Sequence, residues 1–266
     1  MLAAILAGVS KPPEGFQAPG TDILDYTKTC LFGSGSYCIT KVSFWMLMSA
    51  VIIGVLFVVA FRNAQIVPRG LQNAVEAVVE FIRNGIVMEV MGPAGLPFVP
   101  FLTTLFVFVW VNNLFGIIPG IQFPTTSRMA IPAFLAILVW FVFNIVGVKN
   151  QGGWGYLKNT LFPPGIPKAI YILYTPIEFV TVFFVRPLTL SVRLAANMIA
   201  GHLMLAIFFL GAWYLQWKLV TIPVAALSFA LGTFITAFEI LVGVLQAYIF
   251  TILTAVYIAG AIHPEH

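Results

Sequence analysis

Four charged side chains, Glu178, Arg186, Arg193 and Glu239, fall inside long apolar stretches of this chain, with Asn144, Asn197, His202 and Gln246 close by in the sequence. A charge inside hydrocarbon costs at least ~2.5 kcal/mol on insertion scales, so such residues mark an ion or substrate path by default. Two of the eight have simpler readings. Asn144 is expected to hydrogen-bond across a helix interface. Arg186, next to Pro187, is read as structural, either snorkelling or pairing with Glu178, which lies about two helical turns away on nearly the same face. Arg193 has no such exit. It lies too far from either end of its apolar stretch to snorkel, and a guanidinium keeps its proton. It must meet water or an acidic partner.

Helical geometry relates the remaining polar residues. Arg193 to His202 is about 13.5 Å of rise, and Glu239 to Gln246 about 10.5 Å. If the two apolar stretches are consecutive antiparallel helices, Gln246 falls level with Arg193, and Glu239 falls level with His202. One polar layer then holds Arg193, Asn197 and Gln246, and the other pairs an imidazole with a carboxylate. A His–Glu pair binds and releases protons near neutral pH, which suits the mouth of a proton path. At about 100° per residue, however, His202 lies roughly opposite Arg193 on an ideal helix, so the layers need not share one cavity.

The elements that must position these residues are membrane helices. Of 266 residues, 61% are hydrophobic and 8% charged, against roughly 25% charged in a soluble domain. Spanning runs of about 20 residues are read near 42–61, 96–119 and 129–148. Two longer stretches follow, 169–215 and 219–262. At 1.5 Å per residue each would be about 65 to 70 Å long, roughly twice the bilayer core, so each must fold into two crossings or lie strongly tilted. The expected fold is all-α, a polytopic membrane protein of about five spans plus interfacial helices, the last two spans long and tilted. Pro68 to Met91 alternates charges with apolar residues at helical spacing and reads as an interfacial helix. The segment NQGGWGYLKNTLFPPGIPK, from Asn150 to Lys168, reads as a connection at the surface or interface.

Arg62, Arg69 and Arg83 follow span one and Lys149, Lys158 and Lys168 follow span three, whereas the alternate loops carry Arg128 and Lys218 alone. The positive-inside rule then puts the N-terminus outside and the C-terminus in the cytoplasm. Residues 1–41 are expected to be extracytoplasmic and 42–266 to form the membrane domain. Met1 to Gly8 lack the basic region of a signal peptide, leaving span one to direct insertion. Cys30 and Cys38 either close a small disulfide loop, if that side is oxidising, or remain thiols. The basic residues are scattered, which argues against nucleic acid.

The stretch RPLTLSVRLAANMIAGHL, Arg186 to Leu203, resembles the signature around the essential arginine of subunit a of F-type ATP synthases. LVGVLQAYIFTILTAVYI, Leu241 to Ile258, resembles that family's last helix, and NNLFGIIPG, Asn112 to Gly120, is also similar to it. The resemblance implies that Arg193 is the essential arginine, Asn197 the asparagine one turn on, and Gln246 the glutamine of the last helix. His202 and Glu239 stand where some members carry Glu and His. Glu178 lies near a glutamate on the inner side of the arginine, one residue further off. The implied role is a proton-translocating stator with two half-channels serving carboxylates of a rotating c ring. Implied partners are that ring, b-type peripheral stalk subunits, the remainder of the ATP synthase and the lipid bilayer of a bacterial plasma membrane. No cofactor, metal or catalytic site is read in this chain. The rival reading is a proton-coupled secondary transporter in which Arg193 binds an anionic substrate, although no internal repeat supports it. An intramembrane enzyme would need a motif such as HExxH or GxSxG, and neither is present.

Overall fold

The computed structural model describes residues 30–32, 39–118, 128–162, 170–217 and 219–262. A two-stranded hairpin, β1 (Cys30–Phe32) and β2 (Ile39–Thr40), pairs antiparallel before the helices begin. Cys38 lies outside the described residues, as does its pairing with Cys30. The helices are α1 (Lys41–Phe61), α2 (Leu71–Ile82), α3 (Val99–Ile117), α4 (Ala130–Gln151), α5 (Gly153–Leu161), α6 (Tyr171–Val180), α7 (Arg186–Leu215) and α8 (Ile222–Ile262).

Among the described residues five helical stretches are long and apolar enough to cross a membrane: Ser43–Phe61, Gly92–Ile117, Ala130–Gln151, Tyr171–Leu215 and Ile222–Ile262. These match the five expected spans. The last two, of 45 and 41 residues, do not fold into two crossings; each runs on as one helix, roughly 60 to 70 Å long at 1.5 Å per residue. Within the first of them a π-turn, Thr181–Val185, joins α6 to α7. Its cause is Pro187, which has no N–H to donate and whose ring crowds the carbonyl four residues back, at Phe183.

The chain divides into two compact units, each built from parts of α1, α3, α7 and α8. The first comprises Met1–Ile52, Phe108–Arg128 and Ala195–Gln246. Here α7 and α8 pack antiparallel: Gly232 faces Phe208 and Phe209 at 3.3 Å from the position of a Cβ, and Ser228 Oγ donates to the Phe208 carbonyl at 2.9 Å. Small residues let these backbones approach, which in lipid is the main source of helix association. Trp45 meets Phe115 edge-on at 5.8 Å, tying α1 to α3.

The second unit comprises Ile53–Val107, Met129–Leu194 and Ala247–His266. The amphipathic segment from α2 onward buries Val75, Ile82, Ile86 and Val87 and leaves Glu80, Arg83 and Glu89 exposed. The alternation of charge and apolar residue at 68–91 is therefore a helix with one buried face. On α4 the buried Leu135, Ala136, Val139, Phe143 and Gly147 form one stripe, the i, i+4 pattern of a packed helix. Asn144 does not reach across an interface; its Nδ2 donates to the Trp140 carbonyl of its own helix at 2.7 Å. One turn back was the nearest acceptor.

The connection after α4 contains a helix that its glycines and prolines conceal. Gly152, at φ 75°, ends α4, and α5 starts at the next residue. Tyr156 of α5 fills the notch left by the missing side chain of Gly147. Gln151 Nε2 donates to the Ala261 carbonyl near the end of α8 at 3.0 Å, and Asn159 Nδ2 donates to Gln151 Oε1 at 3.1 Å. Gly147→Leu should evict the Tyr156 ring and destabilise the α4–α5 corner by about 1–3 kcal/mol, the usual effect of overpacking. Thermal unfolding in lipid nanodiscs with protease sensitivity of α5 measures this, and unchanged behaviour would show that the notch is not filled.

Candidate functional site

In the second unit, Arg186 and Glu178 form an ion pair, Nη2 to Oε1 at 3.2 Å. On an ideal helix eight residues would leave them roughly 80° apart; the wider π-turn between them lags behind α-helical rotation and brings them onto one face. The Arg186 guanidinium also lies 5.2 Å from the centroid of the Tyr257 ring of α8, an attraction for the ring's negative face. Tyr257 in turn packs on Phe143 of α4 at 5.8 Å. Burial pushes the Tyr156 phenol above its usual range, opposed by the Arg186 charge and a hydrogen bond with Thr160, so its hydroxyl is neutral at physiological pH. Arg186 thus has a carboxylate and an aromatic face within its own unit, as its structural reading requires.

Arg193 is different. It lies 22 positions after Tyr171 and 22 before Leu215 in the uninterrupted apolar helix, about 33 Å from either end. It is exposed on the surface of the chain, in company with Thr189, Val192, Ala196, Ala200 and Met204 along one face of α7. Among the described residues it forms no ion pair. Asn197, one turn on, is half-buried.

The first unit holds the remaining polar residues. Glu239 of α8 is 8% exposed, and its Oε1 lies in the space that a side chain on Gly201 of α7 would take. His202, the next residue, turns its Nε2 toward α3, where a Cβ on Gly116 would stand 2.6 Å from it. The level expected for the imidazole and carboxylate is therefore the observed one, since Glu239 abuts the residue beside His202. Their direct pairing is not observed: His202 Nε2 and both Glu239 oxygens are buried and have no hydrogen-bond partner among the described residues. The reason is rotation about α7, which turns His202 toward α3 while Glu239 rests on Gly201. Gln246 is buried, with Nε2 likewise unpartnered.

Three residues of this region escape a search for charges. Gly116 and Gly201 are the gaps that admit the imidazole and the carboxylate. Asn113 of α3 is buried and donates from Nδ2 to the Gly243 carbonyl of α8 at 3.1 Å, across 130 residues of sequence. An amide in an otherwise apolar run was the visible signal for Asn113; the glycines gave none.

The family described as ATP synthase A chain matches residues 43–259. The chain is 43% identical to a Parafrankia sp. protein named ATP synthase subunit a, over 94% of this chain and 85% of that one. It is 43% identical to the Frankia alni protein of the same name, over 95% and 89%, and 38% identical to that of Rhodococcus erythropolis, over 94% and 92%. With its five apolar helices and these similarities over nearly its whole length, the chain is a membrane protein that belongs to the ATP synthase A chain family.

Proposed function

We propose that the chain is the proton-translocating stator subunit of a rotary ATP synthase, passing protons to and from the carboxylates of a rotating c ring through two half-channels. The observation that carries this reading is Arg193, a permanent cation exposed at the centre of a 45-residue apolar helix with no ion pair among the described residues. A charge so placed must meet water or an acidic partner, and a ring of membrane carboxylates supplies such partners one after another. Protons enter past His202 and Glu239 on the outer side and leave on the inner side, toward Glu178. Arg193 separates the two paths, with Asn197 and Gln246 as polar neighbours at its level in the antiparallel register. It attracts an arriving carboxylate, favours its ionised form and repels a proton crossing directly.

The remaining assignments follow from this role. Residues 1–41 are extracytoplasmic and 42–266 form the membrane domain, with the C-terminus in the cytoplasm of a bacterial cell. The b-type stalk subunits hold the chain against rotation, and proton rather than sodium is the coupling ion. Nucleotide chemistry belongs to the remainder of the complex. No observation favours the transporter reading.

Arg193→Ala should lower ATP synthesis driven by a proton gradient about a hundredfold or more, the scale of losing a preorganised charge, while passive proton leak persists or rises. Arg193→Lys should be severely impaired as well, because it loses the planar, weakly hydrated fork. Arg193→Gln with Gln246→Arg should restore part of the function. Synthesis and passive permeability measured in the same inverted vesicles, with and without sodium, decide the matter. Near-normal synthesis by Arg193→Ala would sink the stator mechanism.

For the outer pair, His202→Glu combined with Glu239→His should retain more proton flux than either single change, since the doublet keeps one imidazole and one carboxylate at the same level. Strictly additive losses would place the two groups in separate sites.

A further inference from the structure

We propose that α3 is the frame of the proton path, with Asn113 and Gly116 as positioning residues that fix the depth and rotation of the groups on α7 and α8. The proposal rests on the stator reading for its function but on separate observations for its geometry. Asn113 and Gly116 are three residues apart, hence on one face of α3. From that face each reaches a different long helix of the first unit. Asn113 Nδ2 donates to the Gly243 carbonyl of α8, buried, at 3.1 Å. Gly243 lies four residues after Glu239 and three before Gln246, on the same face of α8 as both. One hydrogen bond therefore sets the height and rotation of two polar side chains at once. Gly116 meets α7: a Cβ at this position would stand 2.6 Å from His202 Nε2 and 3.1 Å from Cε1, and would also strike Met198. The imidazole edge thus rests on bare backbone, and any larger residue must move it.

The alternative for Asn113 is direct participation as a proton relay. Chemistry separates the two roles. A carboxamide holding a carbonyl acts through its N–H donors, and an ionised carboxylate has none. A relay would be served at least as well by a carboxylate, which takes up and releases protons near neutral pH far more readily than an amide.

The test uses the assembled complex in inverted vesicles, and begins with a readout that needs no activity. A Cβ on Gly243 would lie 3.4 Å from the Asn113 Cβ, just under the roughly 3.5–4.5 Å of a disulfide and within reach of a small backbone shift. Asn113→Cys with Gly243→Cys should therefore form an intramolecular disulfide on mild oxidation; absence of the bond in assembled complex overturns the geometry. Asn113→Ala should lower proton-driven synthesis about five- to tenfold at every pH, the scale of one buried hydrogen bond. Asn113→Asp should be as poor at alkaline pH and recover as the pH falls, when the protonated acid regains an O–H to donate. Flux by Asn113→Asp equal to or above wild type across the range would make Asn113 a relay and overturn the proposal, as would normal flux by Asn113→Ala. For Gly116, Gly116→Ala should lower flux less in the His202→Ala background than in the presence of His202, because the truncated side chain removes the collision with the imidazole and leaves only that with the flexible end of Met198. Equal losses in both backgrounds would overturn its role as the imidazole's seat. If instead Arg193→Ala synthesises ATP normally while the disulfide forms, the stator reading fails and the frame stands.

Discussion

Hydrocarbon does not solvate charge, and the arrangement of α6, α7 and α8 follows from how two arginines seven residues apart meet that constraint. Arg186 is answered locally. Glu178 takes its charge at 3.2 Å and the Tyr257 ring offers a face at 5.2 Å, an arrangement reached because the π-turn imposed by Pro187 rotates Glu178 onto the same side. Arg193 is left exposed without an ion pair among the described residues. Had the chain merely needed two more charges neutralised, a second carboxylate on α7 or α8 would have sufficed. On the proposed reading, leaving one guanidinium open while closing the other separates a structural ion pair from a charge held out for a partner.

Packing explains how the other polar groups come to their positions. In lipid the helices gain little from burying leucines against one another, so close backbone approach at small residues does the holding. Gly201 leaves room for the Glu239 carboxylate, Gly116 for the His202 ring and Gly232 for Phe208 and Phe209. Ser228 of α8 bonds to α7, but the hydroxyls of Thr233, Thr236, Thr251 and Thr254 turn back onto carbonyls of their own helix. They ask nothing of a neighbour. Among the described residues of α7 and α8, the buried side-chain polar atoms without a hydrogen-bond partner belong to His202, Glu239 and Gln246.

Much of this was legible because it rests on periodicity and charge. Five spans follow from runs of apolar residues, while the unbroken run of the last two and the pairing of Arg186 with Glu178 were each one of two readings that helical geometry left open. The level of Glu239 with His202 followed from antiparallel order. What stayed hidden depends on contacts between distant segments or on residues with no side chain. Helix α5 lies in a stretch whose glycines read as a connection, yet Gly152 supplies the positive φ that restarts the helix, and Gly147 supplies the notch that holds it. Asn113 reaches Gly243 across the whole of α4 to α7. Asn144 bonded to its own helix because a carbonyl one turn back competes well with any neighbour.

The rotation that keeps His202 from Glu239 also bears on insulation between the two sides of the membrane. Nine residues along α7 turn His202 about half a revolution from Arg193. Accordingly Arg193 is exposed at the surface of the chain while His202 Nε2 is buried against α3. On the proposed reading, protons are handled on one face of α7 and the ring's charge on the other. A single cavity holding both would let a proton pass the guanidinium without any rotor moving. Each proton crossing 100 mV releases ~2.3 kcal/mol, and that energy is captured only if the ring carboxylate is the sole carrier between the two paths. On the proposed reading, the half-turn that nine helical residues put between His202 and Arg193 serves this end by geometry, with the positive charge of Arg193 standing on the side where the carrier passes.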